Sequence, residues 1–126
     1  MAIDHPPAFV WSEIPVSDMD ASIAFYNAVF NYSMTINTDG PNPTAWFPSQ
    51  DSPSAHGHIY PGKSAAADHG ITLHLAIPGK LEYAIQRCKD AGDEVTSPIV
   101  AIPPGRFTYA RDLDGNALGL FEPAAI

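Results

Sequence analysis

The sequence predicts an α+β fold built from two βαβββ modules, with eight strands and two helices in one domain. Three observations carry this. The stretch EIPVSDMDASIAFYNAVF, Glu13 to Phe30, passes from a strand through a Ser-Asp pair into an amphipathic helix. The passage recurs half a chain later: Ile14-Pro15 and Ile77-Pro78 lie 77 − 14 = 63 positions apart, and each pair closes a strand ahead of a helix. After each helix come short alternating runs separated by Gly, Pro, Asn and Asp, as successive strands require. One such unit leaves a face of its curved sheet uncovered, so two must pair.

The elements follow in order. From Phe9 to Val16 the residues alternate, with Val10, Ser12, Ile14 and Val16 on one face and Phe9, Trp11 and Glu13 on the other. Ser17 and Asp18 are helix N-cap candidates, and Asp20 sits favourably in the first turn. Ile23, Tyr26, Ala28, Val29 and Phe30 then recur as an apolar stripe. Strands are predicted at Tyr32–Thr38, Thr44–Pro48 and His56–Tyr60, with turns at Asp39–Pro43 and Gln50–Ser54. Module one spans about 8–61, a linker about 61–69, and module two about 70–123. In the second module Ile71, Leu73, Leu75 and Ile77 oppose Thr72, His74 and Ala76. A helix over Lys80–Ala91 is stopped by Gly92. Strands at Glu94–Ser97, Arg106–Asp112 and Ala117–Glu122 complete the set, the last two joined by Asp114-Gly115-Asn116, which tolerates positive φ.

A length of 126 residues suits a single domain, and a 45% hydrophobic fraction supports a core. No apolar run approaches the roughly 18 residues of a membrane helix, and MAIDHPPA lacks a basic start followed by an apolar stretch. A cytoplasmic protein with no membrane partner is expected. The single Cys88 has no internal disulfide partner and is expected to be a packing residue. With 14 acids against 6 bases, the net charge is −8. That argues against nucleic acid, which demands clustered Lys and Arg, and favours a cationic ligand over an anionic one.

Through Glu13–Phe30 and GRFTYARDLDGNALGLFEP, Gly105 to Pro123, nearly the whole chain resembles the vicinal oxygen chelate superfamily. That superfamily includes glyoxalase I, bleomycin-resistance proteins and extradiol dioxygenases. The resemblance implies two paired modules forming a cupped eight-stranded mixed sheet, usually in a homodimer, with a small molecule held in the cup. It also implies metal-ligand positions on the cavity faces of first and last strands. Carried to this chain they are Trp11, Thr72 and Gly119. None is a competent ligand for a first-row metal, so no metal or other cofactor is expected at the usual site.

Glu13 and His74 lie one alternation further along those same faces, and His56 and His58 share a face of the fourth strand. A displaced divalent-metal site of Glu13, His74 and a fourth-strand histidine therefore stays open. So does metal-free chemistry with Glu13 as general base against His74, its carboxylate enclosed by Phe9, Trp11 and Phe121. The structural alternative is that Glu13 pairs with Arg106 or His74 to close the cup. Glu122 alternates with Phe121 and falls on the opposite face. Ligand contacts are expected from Trp11, His58, Tyr60, Thr72, Arg106, Tyr109 and Phe121. Trp11, Tyr60 and Tyr109 offer stacking surfaces. Arg106 and Arg111 anchor at most one carboxylate, which disfavours a glutathione adduct. Two function classes remain: a glyoxalase-like lyase or isomerase using Glu13 and His74, and a binder that sequesters a drug-sized molecule.

Overall fold

Two modules of the same design are present in the computed structural model, which describes residues 9–48, 56–66 and 69–124. The first comprises β1 (Ser12–Val16), α1 (Met19–Phe30), β2 (Ile36–Asn37), β3 (Thr44–Trp46) and β4 (Gly57–Pro61). The second comprises β5 (Leu73–Ala76), α2 (Leu81–Asp90), β6 (Val100–Ile102), β7 (Gly105–Arg111) and β8 (Ala117–Pro123). The strands hydrogen-bond as two four-stranded mixed sheets, in the orders β1-β4-β3-β2 and β5-β8-β7-β6. The parallel pairs β1–β4 and β5–β8 share one register, since 57 − 12 and 118 − 73 both equal 45. This places β1 and β5 at sheet edges. The turn expected at Gln50–Ser54 lies outside the described residues.

Asp18 is the N-cap of α1, its carboxylate accepting the Ala21 N–H at 3.0 Å. The helix buries Ser22, Phe25, Tyr26, Val29 and Phe30. This arc differs from the expected stripe: Ala28 is exposed, Ile23 only half-buried, and Phe25 belongs to the core. The spacing 22, 25, 26, 29, 30 is the regular i, i+3, i+4, i+7, i+8 pattern that presents one face to a sheet. Each large apolar side chain so buried contributes about 1.5–3 kcal/mol. Asn31 ends the helix in the left-handed region at φ 57°. Asn27 fixes the exit: its amide donates to Met34 O, and its carbonyl accepts from Met34 N.

Helix α2 buries Leu81, Ala84 and Cys88, and its Arg87 Nε donates to Val29 O at 2.8 Å, joining the two helices. Gly92 terminates it with φ 94°. The Gly92 N–H reaches Lys89 O and the Asp93 N–H reaches Cys88 O, closing a Schellman motif.

The sixth strand is displaced from its expected position. Glu94–Ser97 contributes one isolated bridge, Val95 to Ala110, and the strand proper is Val100–Ile102. From Val95 to Val100 the chain advances five residues, while its partner moves three, from Ala110 to Phe107. Two extra residues are therefore bulged out around Pro98, which cannot donate to a ladder.

The Asp112–Asn116 turn does more than join β7 to β8. Asp112 is buried, and its Oδ1 accepts from Asp114 N and Asn116 N, both at 2.9 Å. Its Oδ2 accepts the Tyr26 hydroxyl and the Asn116 amide, both at 2.8 Å. Asn116 also donates to Pro15 O, and Asp114 accepts the Ser17 N–H. A turn of the second module thus clasps the β1–α1 junction of the first.

Candidate functional site

Register sets the concave face of the first module. Glu13 pairs with His58 across β1–β4, and His58 pairs with Trp46 across β4–β3, so the three stand in one row. Trp11, two residues before Glu13, lies over that row. Its Nε1 donates to His58 Nδ1 at 3.1 Å. The Nε2 atom of the same ring lies 3.4 Å from Glu13 Oε1. Ring centroids of Trp11 and Trp46 are 5.4 Å apart at 85°, and Tyr60 stands edge-on to His58 at 5.9 Å. The His58 side chain is 13% exposed and the Glu13 side chain 66%.

Glu13 therefore has a different partner from the one expected. It meets His58 of its own module, and no ion pair joins it to His74 or Arg106 among the described residues. Nor do apolar walls enclose it, for Phe9 is 95% exposed and Phe121 belongs to the other module's cluster.

In the second module His74 stands opposite Gly119. A Cβ at Gly119 would overlap the His74 ring, so the absent side chain makes the seat for the imidazole. Around it, edge-on or tilted, are Phe107 at 4.8 Å and Tyr109 and Phe121 at 5.9 Å. Tyr109 and Phe121 match the expected face. Phe107 and Trp46 were missed as lining residues, although period-two alternation with Tyr109 and along Thr44-Ala45-Trp46 marks both. Arg106 is a correction. It alternates with Tyr109 onto the helix side, where Glu82 and Glu122 hold its guanidinium at 2.6–3.1 Å. As expected, Glu122 faces away from the cup, and it accepts the Leu81 N–H at 2.7 Å. Arg111 lies 3.6 Å from Glu94. Thr72 and His56 border a groove of about 670 Å³ that runs along the edges of β1 and β5.

The family model described as Glyoxalase/Bleomycin resistance protein/Dioxygenase superfamily matches residues 4–120. The chain belongs to this superfamily. No curated protein sequence matches it. Among solved structures it is similar to a hypothetical protein from S. aureus, at 13% identity and TM-score 0.72, covering 94% of this chain and 95% of that one. It is also similar to TnmS3, an antibiotic binding protein from Streptomyces sp. CB03234, at 22% identity and TM-score 0.61, covering 98% and 99%. A third is the fosfomycin resistance protein FosX from Listeria monocytogenes, at 17% identity and TM-score 0.66, covering 98% and 95%. At these identities the likeness is one of fold.

The residues at the superfamily's metal positions do not fit a divalent ion. The Trp11 indole is a donor engaged with His58, Thr72 offers a neutral hydroxyl, and Gly119 lies under the His74 ring. The displaced set is split as well, with Glu13 and His58 on one module's face and His74 on the other's. Among the described residues, no three His, Cys, Asp or Glu side chains are placed to hold a metal ion. No helix among them is long and apolar enough to cross a membrane.

Proposed function

We propose that this protein is a small-molecule-binding member of the superfamily that holds an aromatic organic compound against its concave faces without transforming it. The observation that carries this reading is the lining. One face presents Trp11, Trp46 and Tyr60, and the other presents Tyr109, Phe121 and Phe107 around His74. Edge-on and offset ring contacts of this kind contribute about 0.5–1.5 kcal/mol each beyond their area. Glu13 and His74, the expected acid and base, stand on different sheets, and Glu13 is 66% exposed. Arg106, tied to two glutamates, does not anchor a glutathione carboxylate. Incubated with the hemithioacetal of methylglyoxal and glutathione, the protein should leave it unchanged. A neutral tricyclic aromatic such as acridone should raise its unfolding temperature and be recovered intact by mass spectrometry. Isomerised thioester, or no thermal shift with acridone, would overturn the reading.

A second reading rests on the Glu13–His58 contact, with Glu13 taking a substrate proton and His58 Nε2–H donating to the developing oxyanion. It requires turnover that Glu13→Gln abolishes. We also propose a homodimer. The segments that lead into β1 and β5 carry Phe9 at 95% and Ile71 at 86% exposure, apolar surface that a second copy covers. Sedimentation giving a stable monomer at micromolar concentration would exclude it.

A further inference from the structure

We infer that the corner formed by Trp11, Trp46, Tyr60, His58 and Glu13 is a receptor for an organic cation, a quaternary or tertiary ammonium group on an apolar body. The inference rests on the concave faces being ligand surfaces, and it specifies the charge of the ligand. Two indoles at 85° with centroids 5.4 Å apart make two walls of a corner. The face of an aromatic ring is the negative side of its quadrupole and attracts a cation within about 6 Å of the centroid, indole most strongly. Packing against a core would bury these rings, yet Trp11 is 40% and Trp46 44% exposed, adjacent and on the same face.

Beside them Glu13 supplies a carboxylate whose side chain is 66% exposed. His58 turns its Nδ1 to the Trp11 N–H, and no Lys or Arg pairs with Glu13 among the described residues. The sequence extends this asymmetry over the N-terminal half of the chain. Residues 1–62 contain six Asp and Glu and no Lys or Arg, giving 0 − 6 = −6 of the chain's −8. A cation therefore meets two π faces, one adjacent carboxylate and a negative long-range field. An anion meets all three as repulsion.

The chain's two tryptophans are the two walls of this corner, so intrinsic fluorescence reports its occupancy directly. The test titrates the full-length protein with benzyltrimethylammonium and with its uncharged carbon isostere, neopentylbenzene. The ammonium should give a saturable emission change at an affinity about tenfold or more above that of the isostere. Added salt should weaken the ammonium alone. Glu13→Gln should lower the ammonium's affinity severalfold and leave the isostere unaffected, with an unchanged circular dichroism spectrum showing that the variant is folded. Equal affinity for the two probes, or an ammonium indifferent to Glu13→Gln, overturns the cation receptor and leaves the aromatic-ligand reading standing. Failure of both probes to alter the emission overturns the receptor and also removes the first module's face from that reading.

Discussion

A methyl group at Gly119 would collide with the Nδ1–Cε1 edge of the His74 ring, so His74 would have to leave its place among Phe107, Tyr109 and Phe121. Gly119→Ala should therefore destabilise the protein by about 1–3 kcal/mol, the usual cost of overpacking. His74→Ala in the same chain should restore most of that loss, because it removes the colliding ring. Thermal unfolding of the two single variants and the double variant measures this, and independent additive losses would show that the seat is not real. Alternation along the sequence assigned Gly119 and His74 to the concave side, but it gave no sign that one makes room for the other. That fact belongs to the β5–β8 register, a pairing between residues 45 apart. The same limit explains Glu13. Period two placed its side chain on the cup face, whereas its partner His58 was decided by β1–β4 pairing. Arg106 shows the opposite failure: its distance from Tyr109 is odd, so alternation already put it on the helix side.

At the scale of elements, α2 borrows its N-terminal cap. Lys80 stands at the cap position with no side-chain bond to the helix, and Glu122 of β8 accepts the Leu81 N–H instead. Arg106 holds that carboxylate in place and reaches on to Glu82 in the helix's first turn. The Arg106 hydrogen bond draws Glu82 down to about 2 and also holds Glu122 below its ordinary value of 4.5. Both folded values lie below the unfolded ones. Their stabilisation is present above about pH 4.5 and is lost as pH falls through the lowered range. Glu122→Ala should accelerate amide hydrogen exchange at 81–84 and leave the Gly92 end of the helix unchanged, and it should blunt the acid limb of unfolding. Uniform exchange along α2 would show that Glu122 is not the cap. Both helices were legible because Asp18, the apolar spacing and Gly92 are local signals, whereas the Glu122 cap of α2 comes from β8 and was not. The sixth strand was not, because Pro98 interrupts an edge run whose two parts contact β7 two residues out of step.

Across the whole molecule the two modules meet through helix contact and through the Asp112–Asn116 clasp. The core around it is built to stay protonated. Burial pushes Cys88 up to about 11 and Tyr32 to about 12, while burial first and Asp112 second raise Tyr26 well above 10. These folded values exceed the unfolded ones, so stability is full below about pH 9 and declines as pH rises through the raised range. The clasp itself is more telling. Asp112 is 3% exposed and meets no cation among the described residues, so its carboxylate depends on four donors, one of them the Tyr26 hydroxyl of the first module. Asp112→Asn turns one acceptor oxygen into a donor facing donors, and a buried group left unsatisfied costs about 1–3 kcal/mol. Tyr26→Phe removes one bond and should cost less. Because Asp112 joins the modules, its loss should also divide their unfolding. Tryptophan emission follows the first module alone, since Trp11 and Trp46 both lie there, whereas circular dichroism follows both. In the wild type the two transitions in urea should coincide, as a single cooperative unit requires. In Asp112→Asn they should separate. Transitions that stay coincident at a lower midpoint would mean that the helix contact between Arg87 and Val29, rather than the clasp, makes the two modules one.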